Sequence, residues 1–180
     1  MMALRPSFHR QGDIYMRLII RNKWISLRGS SYVRDEAGND VMKVRGKFWT
    51  FTRKKFIEDL DGNVVYIVRN KFWKLFRYSA FIMDKDQKVL SHVKRKIFSL
   101  HDSYKLESPY GDITFRGNIL GFDYHIALNG EEVGHVSRKI SLRDSFVLDL
   151  KDGLDEKFFV ALLIAMDNIT DEMAQDSSSY

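Results

Sequence analysis

One stretch near the end of the chain restricts the fold more than any other: LDEKFFVALLIAMDNIT, Leu154 to Thr170. From Phe158 to Met166 nine residues run without a polar group. At a helical step of roughly 100° per residue, the seven large ones cover most of the wheel. A helix that is apolar nearly all round is stable only when protein surrounds it. At about 1.5–3 kcal/mol per large side chain, its burial is worth roughly 10–20 kcal/mol before entropy is counted. Ala161 and Ala165, four apart, leave a narrow small-residue stripe where a neighbour can approach closely. Asp152, Asp155 and Glu156 suit the positive end of such a helix, and Asp167 marks the end of its dry segment, so a helix is expected over about 154–169.

The remainder must wrap this helix, and it does so by repetition. An apolar residue, then basic or small ones, then an aromatic or aliphatic one recur as IRNKW at Ile20, VRGKF at Val44, VRNKF at Val68, VKRKI at Val93, FRGNI at Phe115 and VSRKI at Val136. The spacings are 24, 24, 25, 22 and 21 residues. Turn signals separate the copies: EAGN, LDGN, DKDQ, SPYGD and LNGE. Asn-Gly and Asp-Gly between β-rich runs are hairpin signals because both residues tolerate positive φ. Twelve strands follow, from Ile14 to Leu150. Twelve antiparallel strands dispose of their edges by closing, and a barrel of that number is too wide for its own side chains to fill. The expected fold is therefore mainly β: a closed twelve-stranded antiparallel barrel with the hydrophobic C-terminal helix threaded through its centre. A propeller or solenoid would explain the hairpins and leave the helix unburied. Residues 1–13 read as a polar leader, 14–170 as one domain and 171–180 as a polar tail. Gly46, Gly117 and Gly121 are expected at bulges.

Several function classes lose support at this level. The chain has no cysteine, hence no thiolate zinc site. Its longest apolar run is well short of the ~20 residues that span a bilayer. His9, His92, His101, His125 and His135 show no metal-type spacing, so neither metal nor cofactor is expected. SLHDSY places Ser99, His101 and Asp102 side by side, but triads assemble from separated positions, and Arg143 takes the place of His101 in the sixth copy. No phosphate-cradling glycine motif precedes a helix. No catalytic residue is assigned, and the chain is read as non-enzymatic.

Charge is the remaining signal. Residues 1–100 hold 22 Lys and Arg against 9 Asp and Glu, whereas 101–180 hold 7 against 15. Equivalent hairpin positions fall at similar heights in an up-and-down barrel. Arg45, Lys47, Arg69, Lys71, Lys94, Arg95 and Lys96 should therefore gather near one rim, with the acidic turns at the other. KFWTFTRKKF and KFWKLFRYSAF interleave aromatics with cations, making Trp49 and Trp73 candidate interfacial anchors.

The ordered hairpin copies with their D-x-x-G and L-D-G-N turns, VRGKF and VRNKF, SLHDSYKL and FFVALLIAMDNIT together resemble the LURP-one-related family over about residues 14–170. That resemblance implies a fold similar to the tubby C-terminal domain, an architecture shared with phospholipid scramblases. It also implies a lean toward membrane-associated or regulatory binding. The cysteines and Pro-rich leader of scramblases are missing here, so the resemblance implies their architecture and not lipid scrambling. The functional expectation is a cytoplasmic binding or regulatory module, peripheral to the inner membrane surface, that meets anionic phospholipid or phosphoinositide through its basic rim. The alternatives are a small-ligand carrier or enzyme using a pocket at the barrel mouth, and a protein–protein scaffold. Nucleic acid is the weakest candidate partner.

Overall fold

The computed structural model describes residues 14–21, 30–46, 54–70, 79–94, 104–139 and 145–177. The strands are β1 (Tyr15–Arg21), β2 (Ser30–Arg34), β3 (Asp40–Gly46), β4 (Lys55–Glu58), β5 (Val64–Asn70), β6 (Ser79–Asp84), β7 (Val89–Lys94), β8 (Tyr104–Ser108), β9 (Gly111–Asn118), β10 (Asp123–Leu128), β11 (Glu131–Lys139) and β12 (Ser145–Lys151). The helix α1 (Glu156–Ser177) follows. All twelve strands belong to one antiparallel sheet in the order β7-β6-β5-β4-β3-β2-β1-β12-β11-β10-β9-β8. The first and last strands pair over their whole length, Tyr15 opposite Lys151 through Arg21 opposite Ser145, so two meandering arms grow from the β1–β12 pair. They meet at β7 and β8. There Ser91 Oγ donates to the Glu107 carbonyl at 2.9 Å where a backbone ladder is absent among the described residues, and the barrel is nearly closed.

The repeat seen in the sequence is a ring of inward side chains. Ile20, Val44, Val68, Val93, Phe115 and Val136 are all buried, one on each odd-numbered strand. The β2–β3 and β4–β5 turns are superimposable in their bonding. Asp35 Oδ1 accepts the Asn39 N–H at 2.8 Å and Asp59 Oδ1 accepts that of Asn63 at 2.8 Å. Gly38 and Gly62 supply the positive φ of 89° and 88°. These hydrogen bonds, the Asn side chains foremost, hold both aspartates below their ordinary pKa.

The expected glycine bulges are a correction. Pairing runs without a shift through Gly117 opposite Tyr124, Gly46 stays in register with Lys55, and Gly121 lies in the β9–β10 turn. The register shifts instead follow four hairpin turns, beside Arg34, Glu58, Met83 and Ala127. Gly117 is needed for a different reason. Its φ is +124°, and a Cβ there would sit 2.8 Å from the Asp123 carbonyl oxygen. Phe122 occupies the β9–β10 turn with φ 52°.

From Phe158 to Met166 no helix residue is more than 2% exposed. The small-residue stripe decides how the helix sits. Asn168 donates to Asn70 Oδ1 on β5 at 3.1 Å, and Asn70 in turn reaches Glu172 Oε2 at 3.5 Å. Positions 161, 165, 168 and 172 share one helical face, so Ala161 and Ala165 face the same wall and α1 lies closest to β5, β6 and β7. Aromatic residues fill the opposite side: Phe122 and Phe146 with ring centroids 4.3 Å apart, and Phe115 against Tyr124 at 5.9 Å. Tyr124 also places its hydroxyl 3.4 Å from Met166 Sδ.

The helix runs to Ser177, past the expected end near 169 and into what reads as a polar tail. No Gly or Pro interrupts Asp171–Ser177. Met173 packs on the core and Glu172 is tied to Asn70, so the added turns are anchored.

Candidate functional site

Antiparallel pairing makes the six odd-numbered strands run the same way, and each carries basic residues at or near its far end. β1 ends on Arg21, β3 reaches Arg45, β5 Arg69 and β7 Lys94, while β9 carries Arg116 and β11 ends on Arg138 and Lys139. The residue after each buried ring member must point outward by strand alternation. Arg69, Lys94 and Arg116 are accordingly exposed, as is Lys139. None of these four has an ion-pair partner among the described residues.

The other end is acidic. Asp35, Glu36, Asp59, Asp61, Asp84, Asp86, Asp112, Glu131 and Asp152 lie in or beside its turns. The helix enters at this end, and its N-terminus is clamped. Tyr66 on β5 and Tyr110 in the β8–β9 turn both donate to Asp155 Oδ2, at 2.5 and 2.6 Å, and lie 2.9 Å from each other. Asp155 Oδ1 accepts the Phe158 N–H at 3.0 Å. Burial alone would raise the Asp155 pKa, but the two phenols, the Phe158 N–H and Lys157 outweigh it and hold the carboxyl below its ordinary value. Burial and the Asp155 carboxylate push Tyr66 and Tyr110 upward. The helix C-terminus, with its negative dipole end, emerges toward the basic end.

Arg45, Arg69 and Lys94 of the expected rim are thus brought to one end. Lys47, Trp49, Lys71, Trp73, Arg95 and Lys96 lie outside the described residues. Arg45 is engaged: Glu58, whose side chain is only 5% exposed, accepts from it at 2.6 Å, with Lys43 3.9 Å away, and the guanidinium lies 4.4 Å above the Phe56 ring. Its charge first neutralises a buried carboxylate.

Arg116 and Lys139 were not among the expected rim residues. The fifth and sixth repeat copies, FRGNI and VSRKI, contain the signal, which the acidic balance of the second half masks.

No helix among the described residues is long and apolar enough to cross a membrane. A search of curated proteins finds no match. Among solved structures, the chain is similar to a protein from Arabidopsis thaliana determined by X-ray crystallography. The TM-score is 0.61 and the identity 18%, over 86% of this chain and 91% of that one, a likeness of fold. The model of the LURP-one-related family matches residues 16–167, which takes in every strand but the first residue of β1 and most of α1, and the chain belongs to that family.

Proposed function

We propose that this protein is a peripheral binding module that meets anionic phospholipid headgroups with the basic end of its barrel. The supporting observation is axial polarity: odd strands carry cations toward one end, and the even-to-odd turns gather carboxylates at the other. A cation near an anionic leaflet gains about 1 kcal/mol, falling away within a Debye length of roughly 8–10 Å, so several must face the surface together. Arg69, Lys94, Arg116 and Lys139 supply four, and the sequence adds Lys47, Lys71, Arg95 and Lys96 directly beyond the ends of β3, β5 and β7. The barrel interior is filled by α1, which favours binding at an outer surface over carriage of a ligand inside.

Sedimentation with phosphatidylserine or phosphoinositide vesicles, against phosphatidylcholine alone, tests this at low and physiological salt. Wild type is expected to pellet with the acidic vesicles, less so as salt rises. Arg69→Glu with Lys94→Glu should release it, as should Lys47→Glu with Lys71→Glu and Arg95→Glu. Arg45 is left intact because of Glu58. Wild type in the supernatant at both salts, or charge-reversed variants that bind equally well, would overturn the reading and favour a protein partner.

A further inference from the structure

The outer wall of β9–β12 carries a histidine cluster that borders the basic end at Arg116. Register sets His125 opposite both Arg116 and His135, and His135 opposite Asp149. The two imidazoles lie with centroids 4.6 Å apart, tilted by 41°. Each is held by a carboxylate from the neighbouring strand. His125 Nδ1 is 2.9 Å from Glu132 Oε1, and His135 Nε2 is 3.0 Å from Asp123 Oδ1. With those nitrogens donating, the lone pairs of His125 Nε2 and His135 Nδ1 stay available. Both side chains are part-exposed, and a groove of about 320 Å³ opens beside His125, lined in part by Thr114, Arg116, Ala127 and Glu132.

We propose that His125 and His135 form a two-imidazole site for a divalent d-block cation such as Zn²⁺ or Ni²⁺, coordinated across β10 and β11. Imidazole suits these ions. Histidines that bind metal characteristically donate their second N–H to a carboxylate, which fixes tautomer and ring orientation, and both rings here do so already. Directly opposed residues have Cβ atoms about 4.5–5.5 Å apart, and metal–nitrogen bonds are about 2.0–2.1 Å, so small χ rotations let one cation reach both rings. The charge around the pair suits a cation. Asp149 is taken up by Arg17 at 2.6 Å, which leaves Asp123 and Glu132 against Arg116. Among the described residues no three His, Asp or Glu side chains are arranged to hold a metal, so water completes the coordination and the site stays open to the groove.

The test is a titration of the full chain with ZnCl₂, and separately NiCl₂, followed through the imidazole NMR signals of all five histidines. His125 and His135 are expected to respond together and saturate at one equivalent, ahead of His9, His92 and His101. His125→Ala should weaken the response of His135 by roughly ten-fold, and the reverse variant should do the same to His125. Glu132→Gln should weaken both several-fold while the fold, monitored by the backbone spectrum, is unchanged. If neither ring responds at about 1 mM metal, or if each responds alone with an affinity indifferent to loss of the other, the site does not exist.

Discussion

Replacing Asp155 with alanine should loosen the barrel more than any other single change among its half-buried polar side chains. One carboxylate caps α1 through Phe158 and receives both phenols, so it ties the helix to β5 and to the β8–β9 turn at once. Loss of an N-cap to alanine costs about 0.5–2 kcal/mol. A hydrogen bond to a charged group is worth about 1.5–3 kcal/mol, with the lower end fitting a half-buried site. Once the carboxylate is gone, one phenol can donate to the other across the 2.9 Å between them, which softens the loss. The expected total is about 3–4 kcal/mol, and at ~2–4 °C per kcal/mol for a chain of this size Tm falls by roughly 6–15 °C. Asp155→Asn, which still caps, should lose only about 1–2 kcal/mol. The pH dependence has a definite sign. A carboxyl whose folded pKa lies below its unfolded value of 3.8 stabilises the fold above that value and loses its contribution as pH falls through the folded one. The gap between wild type and Asp155→Asn in urea denaturation should therefore be constant from neutral pH to about pH 5 and narrow below pH 4. A Tm change under about 2 °C for Asp155→Ala, or a gap that widens in acid, would refute the clamp.

Gly117→Ala should destabilise by at least ~2 kcal/mol, because φ of +124° belongs to glycine alone and the new Cβ meets the Asp123 carbonyl held in the β9–β10 ladder; a thermal melt indistinguishable from wild type would contradict this. Leu163→Asp should prevent folding, since a carboxylate at a side chain 2% exposed costs several kcal/mol against a total of about 5–15. A cooperative urea transition in that variant would mean the helix is not the core. Truncation after Gly153 should behave likewise, and native-like strand content in the truncated chain would count against the same claim.

What the sequence discloses and what it conceals follow from how far apart the interacting residues lie. The central helix is legible because Phe158–Met166 has no polar residue to turn toward water, and the barrel because a buried residue recurs from Ile20 to Val136 every 21–25 positions. Even the closest wall is latent in the stripe of Ala161 and Ala165. The helix end is not legible because Asp171 and Glu172 read as tail, and only the Asn70 side chain, 102 residues away, shows that Glu172 belongs to the fold. The Asp155 clamp is equally silent: its partners lie 89 and 45 positions back.

The histidine pair is concealed for a sharper reason. Counting back from the two-residue turn at Asn129–Gly130 pairs Leu128 with Glu131 and Ala127 with Glu132. Strict alternation would continue with Ile126 opposite Val133, His125 opposite Gly134, and His135 opposite Tyr124 on the core side. The register shift after Ala127 intervenes, so Ile126 faces Gly134 and His135 faces His125 on the outer wall. A one-residue slip exchanges the faces of everything beyond it. Val133 and Gly134 are consecutive and both buried, which is the mark of that slip in the burial pattern. The same shift follows the turns at 35–39, 59–63 and 84–88, so it belongs to the repeat. In β11 it carries His135 out of the core and sets it against His125, between Asp123 and Glu132.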